Sequence, residues 1–225
     1  MTDETRIRVD VGDGSIPAIV ARPDGATATV VVAHGAGAGM EHPFMSGLTR
    51  ALDRAGLATV RFDFPYREAG RRFPDRPPVA IAAWRAVVET AARLAAEAGA
   101  PDEPIWASGK SFGGRMASMA VADGMPAAGL VFLGYPLHPP GRPTQVRDEH
   151  LYGLTLPMLF LQGTNDPFAA PNDQLDEVVA RIGSNAELDW IDGGGHSFEV
   201  KGRKRPQDEI AAELAPRVAE FVRSH

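Results

Sequence analysis

Six strand-length runs, separated by helix-length segments, constrain this chain more than any other feature. They lie at 29–33, 58–62, 105–110, 128–133, 158–162 and 186–191. The first, Thr-Val-Val-Val-Ala, is continuous and β-branched, which suits a strand buried on both faces. Between the runs, helix patterns cover 43–55, 78–98, about 112–123 and 172–182, and a last one covers 206–223, with Ile210, Leu214, Val218 and Phe221 on one face. Strands that alternate with helices fold into a mostly parallel sheet covered on both sides. Ahead of this alternation, Ile7, Val9 and Val11 alternate with polar residues, Gly12-Asp13-Gly14 turns, and a second alternating run spans 15–22. That reads as an N-terminal antiparallel hairpin. The loop at 63–78 is rich in arginine and proline, and 134–157 is a proline-rich connection. With 225 residues, no repeat and no long linker, the expectation is one domain over 1–225.

Composition narrows the chemistry. There is no cysteine, which removes disulfides, thiolate nucleophiles and cysteine-based zinc sites. A covalent nucleophile would therefore be an oxygen or an amine. No histidine spacing resembles a metal site such as H-E-x-x-H, and no cofactor motif is complete, so neither metal nor cofactor is expected. The net charge of −6 gives no reason to expect nucleic acid as a partner. The first residues, Met-Thr-Asp-Glu-Thr-Arg, lack the apolar segment of a signal peptide, and no apolar run reaches membrane-spanning length. The expected compartment is the cytoplasm.

The run at 105–110 ends in Gly109-Lys110-Ser111-Phe112-Gly113, a G-x-S-x-G pattern. In a nucleophile elbow of this kind, a tight strand-to-helix turn lifts the serine hydroxyl out of the sheet. Its glycines are needed because side chains there would collide where strand and helix nearly touch. Ser111 as an ordinary helix N-cap is the plain alternative. The Gly-Lys-Ser tail also imitates a phosphate loop, but the first glycine of that motif would fall on Pro104. Likewise Gly35-x-Gly37 with Asp63 imitates a dinucleotide fingerprint, whose third glycine position is Met40.

In an open parallel sheet, functional groups collect beyond the carboxyl ends of the strands. Four features sit at such ends: His34-Gly-Ala-Gly-Ala-Gly39, Ser111, Asp166 in Thr-Asn-Asp-Pro, and His196 after three glycines. The order serine, acid, histidine is that of the α/β-hydrolase triad. A serine hydroxyl needs an imidazole to take its proton, and the imidazole needs a carboxylate to fix its tautomer. Asp63 and Asp192 are the alternative acids. Asp166 could also be a plain turn residue, and His196 a loop histidine satisfied by backbone.

The whole pattern from about Thr5 resembles the α/β-hydrolase superfamily. His34-Gly-Ala-Gly-Ala-Gly-Met, Arg61-Phe-Asp-Phe-Pro-Tyr66, Gly109-Lys-Ser-Phe-Gly-Gly-Arg-Met-Ala-Ser118 and Gly134-Tyr-Pro-Leu-His-Pro-Pro-Gly141 resemble a smaller group within it. That group is similar to dienelactone hydrolases and shares a domain with a subunit of a histone-acetyltransferase complex. The resemblance implies a three-layer α/β-hydrolase fold, with Ser111 as nucleophile, Asp166 as acid and His196 as base. It also implies an oxyanion hole from the N–H groups of Phe112 and Ala36. The connection at 134–157 is too short for a cap domain, so an exposed, shallow site is expected.

Expected chemistry is hydrolysis of a small ester, lactone or thioester by a monomer or dimer. A non-catalytic interaction module and a peptidase or amidase are the alternatives, because fold does not fix function. Arg67, Arg71, Arg72 and Arg76 lie on the active-site side, where one or two could pair with a substrate carboxylate. Solvated loop arginines are the competing reading, since 20 of the 23 basic residues are arginine. His42 and His138 could line the site from their loops, although exposed loop positions are the default for them and for His150. His34 is expected to brace its own loop. The basic run Lys201, Arg203, Lys204 and Arg205 reads as a solvated face.

Overall fold

The hairpin and the six runs become eight strands: β1 (Thr5–Asp10), β2 (Ser15–Ala21), β3 (Thr29–Ala33), β4 (Ala58–Phe62), β5 (Ile105–Lys110), β6 (Gly129–Leu133), β7 (Met158–Gly163) and β8 (Ala186–Ile191). Among the described residues six helices are interleaved: α1 (Pro43–Arg54), α2 (Pro65–Glu68), α3 (Pro77–Glu97), α4 (Phe112–Ala122), α5 (Asp173–Ile182) and α6 (Gln207–Ser224). This computed structural model describes residues 2–12 and 14–225, so Asp13 of the expected turn lies outside the described residues.

The strands form one sheet in the order β1-β2-β4-β3-β5-β6-β7-β8. The first two pairings, β1 with β2 and β2 with β4, are antiparallel; every later pairing is parallel. Alternation along β3 shows how the layers are built. Val30 and Val32 face α1 and α6, whereas Val31 and Ala33 face α3 and α4. The fold is therefore three-layered, as expected for an α/β-hydrolase. The chain leaves β3 for β4 on one side and later returns to pair β5 on the other. Such a switch opens a crevice beyond the strand ends, between the loops after β3 and β5.

Two local features depart from the expected loops. Pro65 starts a helical turn, α2, within 63–78; its fixed φ suits the first helical position. The connection at 134–157 holds only a 3₁₀ turn, Glu149–Leu151, and no cap domain. Pro216 lies inside α6 and cannot donate to the carbonyl of Ala212. The helix continues because Ile210, Leu214, Val218 and Phe221 are all buried on the sheet side.

Helices α1 and α6 touch at a point where only glycine fits. A Cβ on Gly47 would lie 2.3 Å from the carbonyl oxygen of Asp208. Alanine there would gain about 1 kcal/mol of helix propensity. It would lose more by driving two backbones apart, at roughly 3 kcal/mol. Gly47→Ala is therefore expected to lower stability by about 2 kcal/mol in urea denaturation, without changing secondary-structure content.

Candidate active site

Ser111 sits between the last residue of β5 and the first of α4, with φ 50° and ψ −113°. Among the described residues only Ser111 and Phe198 combine a side chain with positive φ. A backbone held there costs about 1–3 kcal/mol. The surroundings hold it: the Ser111 N–H donates to the Leu133 carbonyl at 3.1 Å, and the Arg115 N–H donates to the Ser111 carbonyl at 3.0 Å. The flanking glycines are required by contact. A Cβ on Gly109 would lie 2.3 Å from the nitrogen of Gly114, and one on Gly113 2.6 Å from the carbonyl oxygen of Ala33. The Ser111 hydroxyl makes no capping bond to its helix. Its Oγ lies 2.8 Å from His196 Nε2 instead.

His196 Nδ1 lies 2.7 Å from Asp166 Oδ2. The Asp166 side chain is fully buried and accepts two further bonds, from Gln162 Nε2 at 2.6 Å and from the Phe168 N–H at 2.9 Å. Gln162 is itself oriented, since its Oε1 accepts the Tyr135 N–H at 2.7 Å. A carboxylate on Nδ1 assigns the ring proton to that nitrogen and leaves Nε2 to accept from the hydroxyl. Phe168 stacks on the imidazole, with centroids 4.2 Å apart, and His196 keeps about a fifth of its side chain exposed (22%). The competing acids lie elsewhere: Asp192 is exposed, and Asp63 accepts the Met40 N–H at 2.7 Å.

Two N–H groups near the serine are unused. Neither the Phe112 nor the Ala36 N–H finds an acceptor among the described residues. In the same glycine-rich loop the Gly37 N–H donates to the Tyr66 hydroxyl and the Ala38 N–H to the Gly35 carbonyl. His34 braces that loop from beneath. It is fully buried, with Nδ1 2.8 Å from the Gly35 carbonyl and Nε2 accepting the Phe64 N–H at 3.3 Å. Burial pushes its pKa down and keeps the ring neutral, as these two bonds require.

The resulting cleft, about 360 Å³, is walled by the 35–38 loop, His42, Phe44, Met45, Phe168 and Gln207 around Ser111 and His196. His42 thus reaches the site, where its Nδ1 also caps α1 by accepting the Phe44 N–H. Arg67 does not line the cleft. It is exposed in an adjoining groove that shares Gly37, Ala38 and His42 with it. Arg71 is a correction: its guanidinium binds the buried carboxylate of Asp75 at 2.5 Å, and it lines neither space. His138 is another. It is fully buried, with Nδ1 on the Pro139 carbonyl, because the 134–141 segment folds inward against the loop after β7. Nor is His150 an exposed loop residue; it packs in with Nε2 2.8 Å from Ser118 Oγ, and burial lowers its pKa to about 4.

Sequence reasoning missed Gln162 and Phe168, and met Lys110 only as part of a false phosphate motif. A glutamine and a lysine at the ends of otherwise apolar strands were the available signal, because a buried polar group needs a partner. Among the described residues no cluster of side chains could hold a metal ion, and no helix is long and apolar enough to cross a membrane.

Solved structures share this architecture. Dienelactone hydrolase from Anabaena variabilis is 20% identical over all of this chain and 98% of its own, with a TM-score of 0.76. A serine hydrolase without a lid, from Xanthomonas campestris, is 21% identical over 100% of this chain and 95% of its own, with a TM-score of 0.72. An α/β serine hydrolase homologue from Coxiella burnetii is 22% identical over 98% and 97%, with a TM-score of 0.70. At these identities the likeness is one of fold. Family membership rests on the sequence itself, whose residues 26–223 match the α/β-hydrolase domain. Over residues 26–223, this chain belongs to the α/β-hydrolase family.

Proposed function

We propose that the protein is a serine hydrolase that cleaves a small carboxylic ester, lactone or thioester through an acyl-enzyme on Ser111. The observation that carries this reading is the unbroken line from Ser111 Oγ through His196 to buried Asp166, with links of 2.8 and 2.7 Å. Ser111 Oγ attacks the acyl carbon as His196 Nε2 takes its proton. The Phe112 and Ala36 N–H groups receive the negative charge that grows on the carbonyl oxygen, a contribution of several kcal/mol at such sites. Asp166 holds the imidazolium in place. Collapse breaks the acyl–oxygen or acyl–sulfur bond, and His196 returns its proton to the leaving group. A water molecule, deprotonated by the same nitrogen, then releases the acid and regenerates the serine. The small, uncapped cleft favours a compact acyl group.

Incubation with a fluorophosphonate probe tests this. Stoichiometric modification at Ser111, with turnover on at least one member of a panel of short-chain esters, lactones and thioesters, is the expected result. Folded protein that resists the probe and hydrolyses none of the panel would overturn it. A stable protein partner in that case would favour the interaction module. Cleavage confined to peptides or amides would move the assignment to peptidase or amidase chemistry.

A further inference from the structure

One buried cation in the site has no part in the steps above. Lys110, the residue before Ser111, is buried and lines the same cleft. Its Nζ donates to the main-chain carbonyl of His196 at 2.5 Å. Around that bond the packing is close. A Cβ on Gly134 would lie 3.0 Å from the His196 carbonyl oxygen, 3.2 Å from Lys110 Nζ and 3.6 Å from Asp166 Oδ2. Gly134 also has φ 71°, so glycine serves there on two counts. The Phe198 ring covers the other side, 5.7 Å from Nζ. Phe198 itself is held at φ 66°, buried, and stacked on Phe44 of α1. The loop that presents His196 is therefore a strained turn whose carbonyl is pinned by the residue adjoining Ser111.

Resting on the reading of Ser111, His196 and Asp166 as catalytic, we infer that Lys110 is a positioning residue: its ammonium fixes the His196 main chain relative to the serine. A charge-assisted hydrogen bond is roughly twice as strong as a neutral one. The tether is thus strongest while Lys110 is protonated. The charged groups facing it are Asp166, from the turn after β7, and Glu199, from the His196 loop; both favour the protonated form. Burial opposes them and prevails, bringing the pKa of Lys110 down to about 8. Below about pH 8 the ammonium holds the carbonyl, and above it a neutral amine holds the same oxygen weakly. An alkaline fall that is lost in Lys110→Met identifies the lysine.

The rate of fluorophosphonate labelling of the full chain, followed from pH 6 to 10 with the fold checked by circular dichroism, tests this together with NMR. Wild type is expected to lose rate with a midpoint near pH 8, and the Ser197 amide nitrogen, joined to the carbonyl in question, should shift over the same range. Lys110→Met should label about 10–100-fold more slowly, the scale of a displaced catalytic group, with no alkaline fall and no Ser197 titration. Lys110→Arg keeps its charge and should show no fall below pH 10. Wild type suffices if the variants fold poorly: a flat rate, or a Ser197 amide that does not follow Lys110, overturns the inference. So does a folded Lys110→Met that keeps the wild-type profile. Wild type that is never labelled at Ser111 removes the catalytic reading itself, and this inference with it.

Discussion

Ser111→Ala is expected to lower turnover of the best ester substrate by about 10⁴–10⁶-fold and to abolish fluorophosphonate labelling, with little change in stability. On the proposed mechanism, activity collapses because the oxygen that would bond the acyl carbon is gone, and the remaining N–H groups and imidazole would supply only a residual acceleration. Stability survives because the hydroxyl caps nothing; its hydrogen bond is to His196. Ser111→Gly separates function from stability further. Glycine adopts the φ of 50° without the strain carried by serine, while costing about 0.5–1 kcal/mol of unfolded-chain entropy. The glycine variant should thus be inactive and more stable than wild type by about 1 kcal/mol. Ester turnover and urea midpoints for the three proteins measure both quantities. An alanine variant within tenfold of wild type would mean that Ser111 is not the nucleophile.

Much of this site was legible because its requirements are local. The elbow needs bare backbone at 109 and 113, and glycine is a visible answer to that need. Runs such as 29–33 disclose a strand buried on both faces without any neighbour being known. Ser111, Asp166 and His196, which the structure brings together, each follow a recognisable strand, and parallel strands send their loops to one end. Orientation was not legible. Arg71 and His138 stand in the right loops, yet one turns to Asp75 and the other folds into the core. Side-chain direction within an irregular loop depends on how the loop folds, even when the partner is as near as Asp75 is to Arg71 or Pro139 to His138, and no periodicity reports it. Lys110 shows the same limit. Its partner, the carbonyl of His196, lies 86 residues away, and a backbone acceptor leaves no mark on residue type.

Asp166→Asn is expected to reduce kcat/KM by about 10⁴-fold, and here the loss and the fold are linked through Gln162. The carboxylate accepts from three donors: His196 Nδ1, Gln162 Nε2 and the Phe168 N–H. An asparagine has one acceptor oxygen and one donating nitrogen, so it cannot satisfy all three. If its oxygen faces His196 and Gln162, its amide nitrogen faces the Phe168 N–H, donor against donor. If it is reversed, the nitrogen faces His196 and drives the ring proton to Nε2, where it opposes the Ser111 hydroxyl. Gln162 would then have to flip as well, leaving the Tyr135 N–H without its acceptor. Either arrangement strands a buried donor, at about 1–3 kcal/mol, and both remove the charge that stabilises the imidazolium. The variant should therefore lose stability in denaturant as well as activity, unlike Ser111→Ala. Adding Gln162→Glu to the Asp166→Asn variant would supply an acceptor but no donor to the asparagine oxygen, and it should not restore turnover. An asparagine variant that kept wild-type kcat/KM would pass the acid's role to Asp63 or Asp192, whose carboxylates face the glycine loop and the solvent.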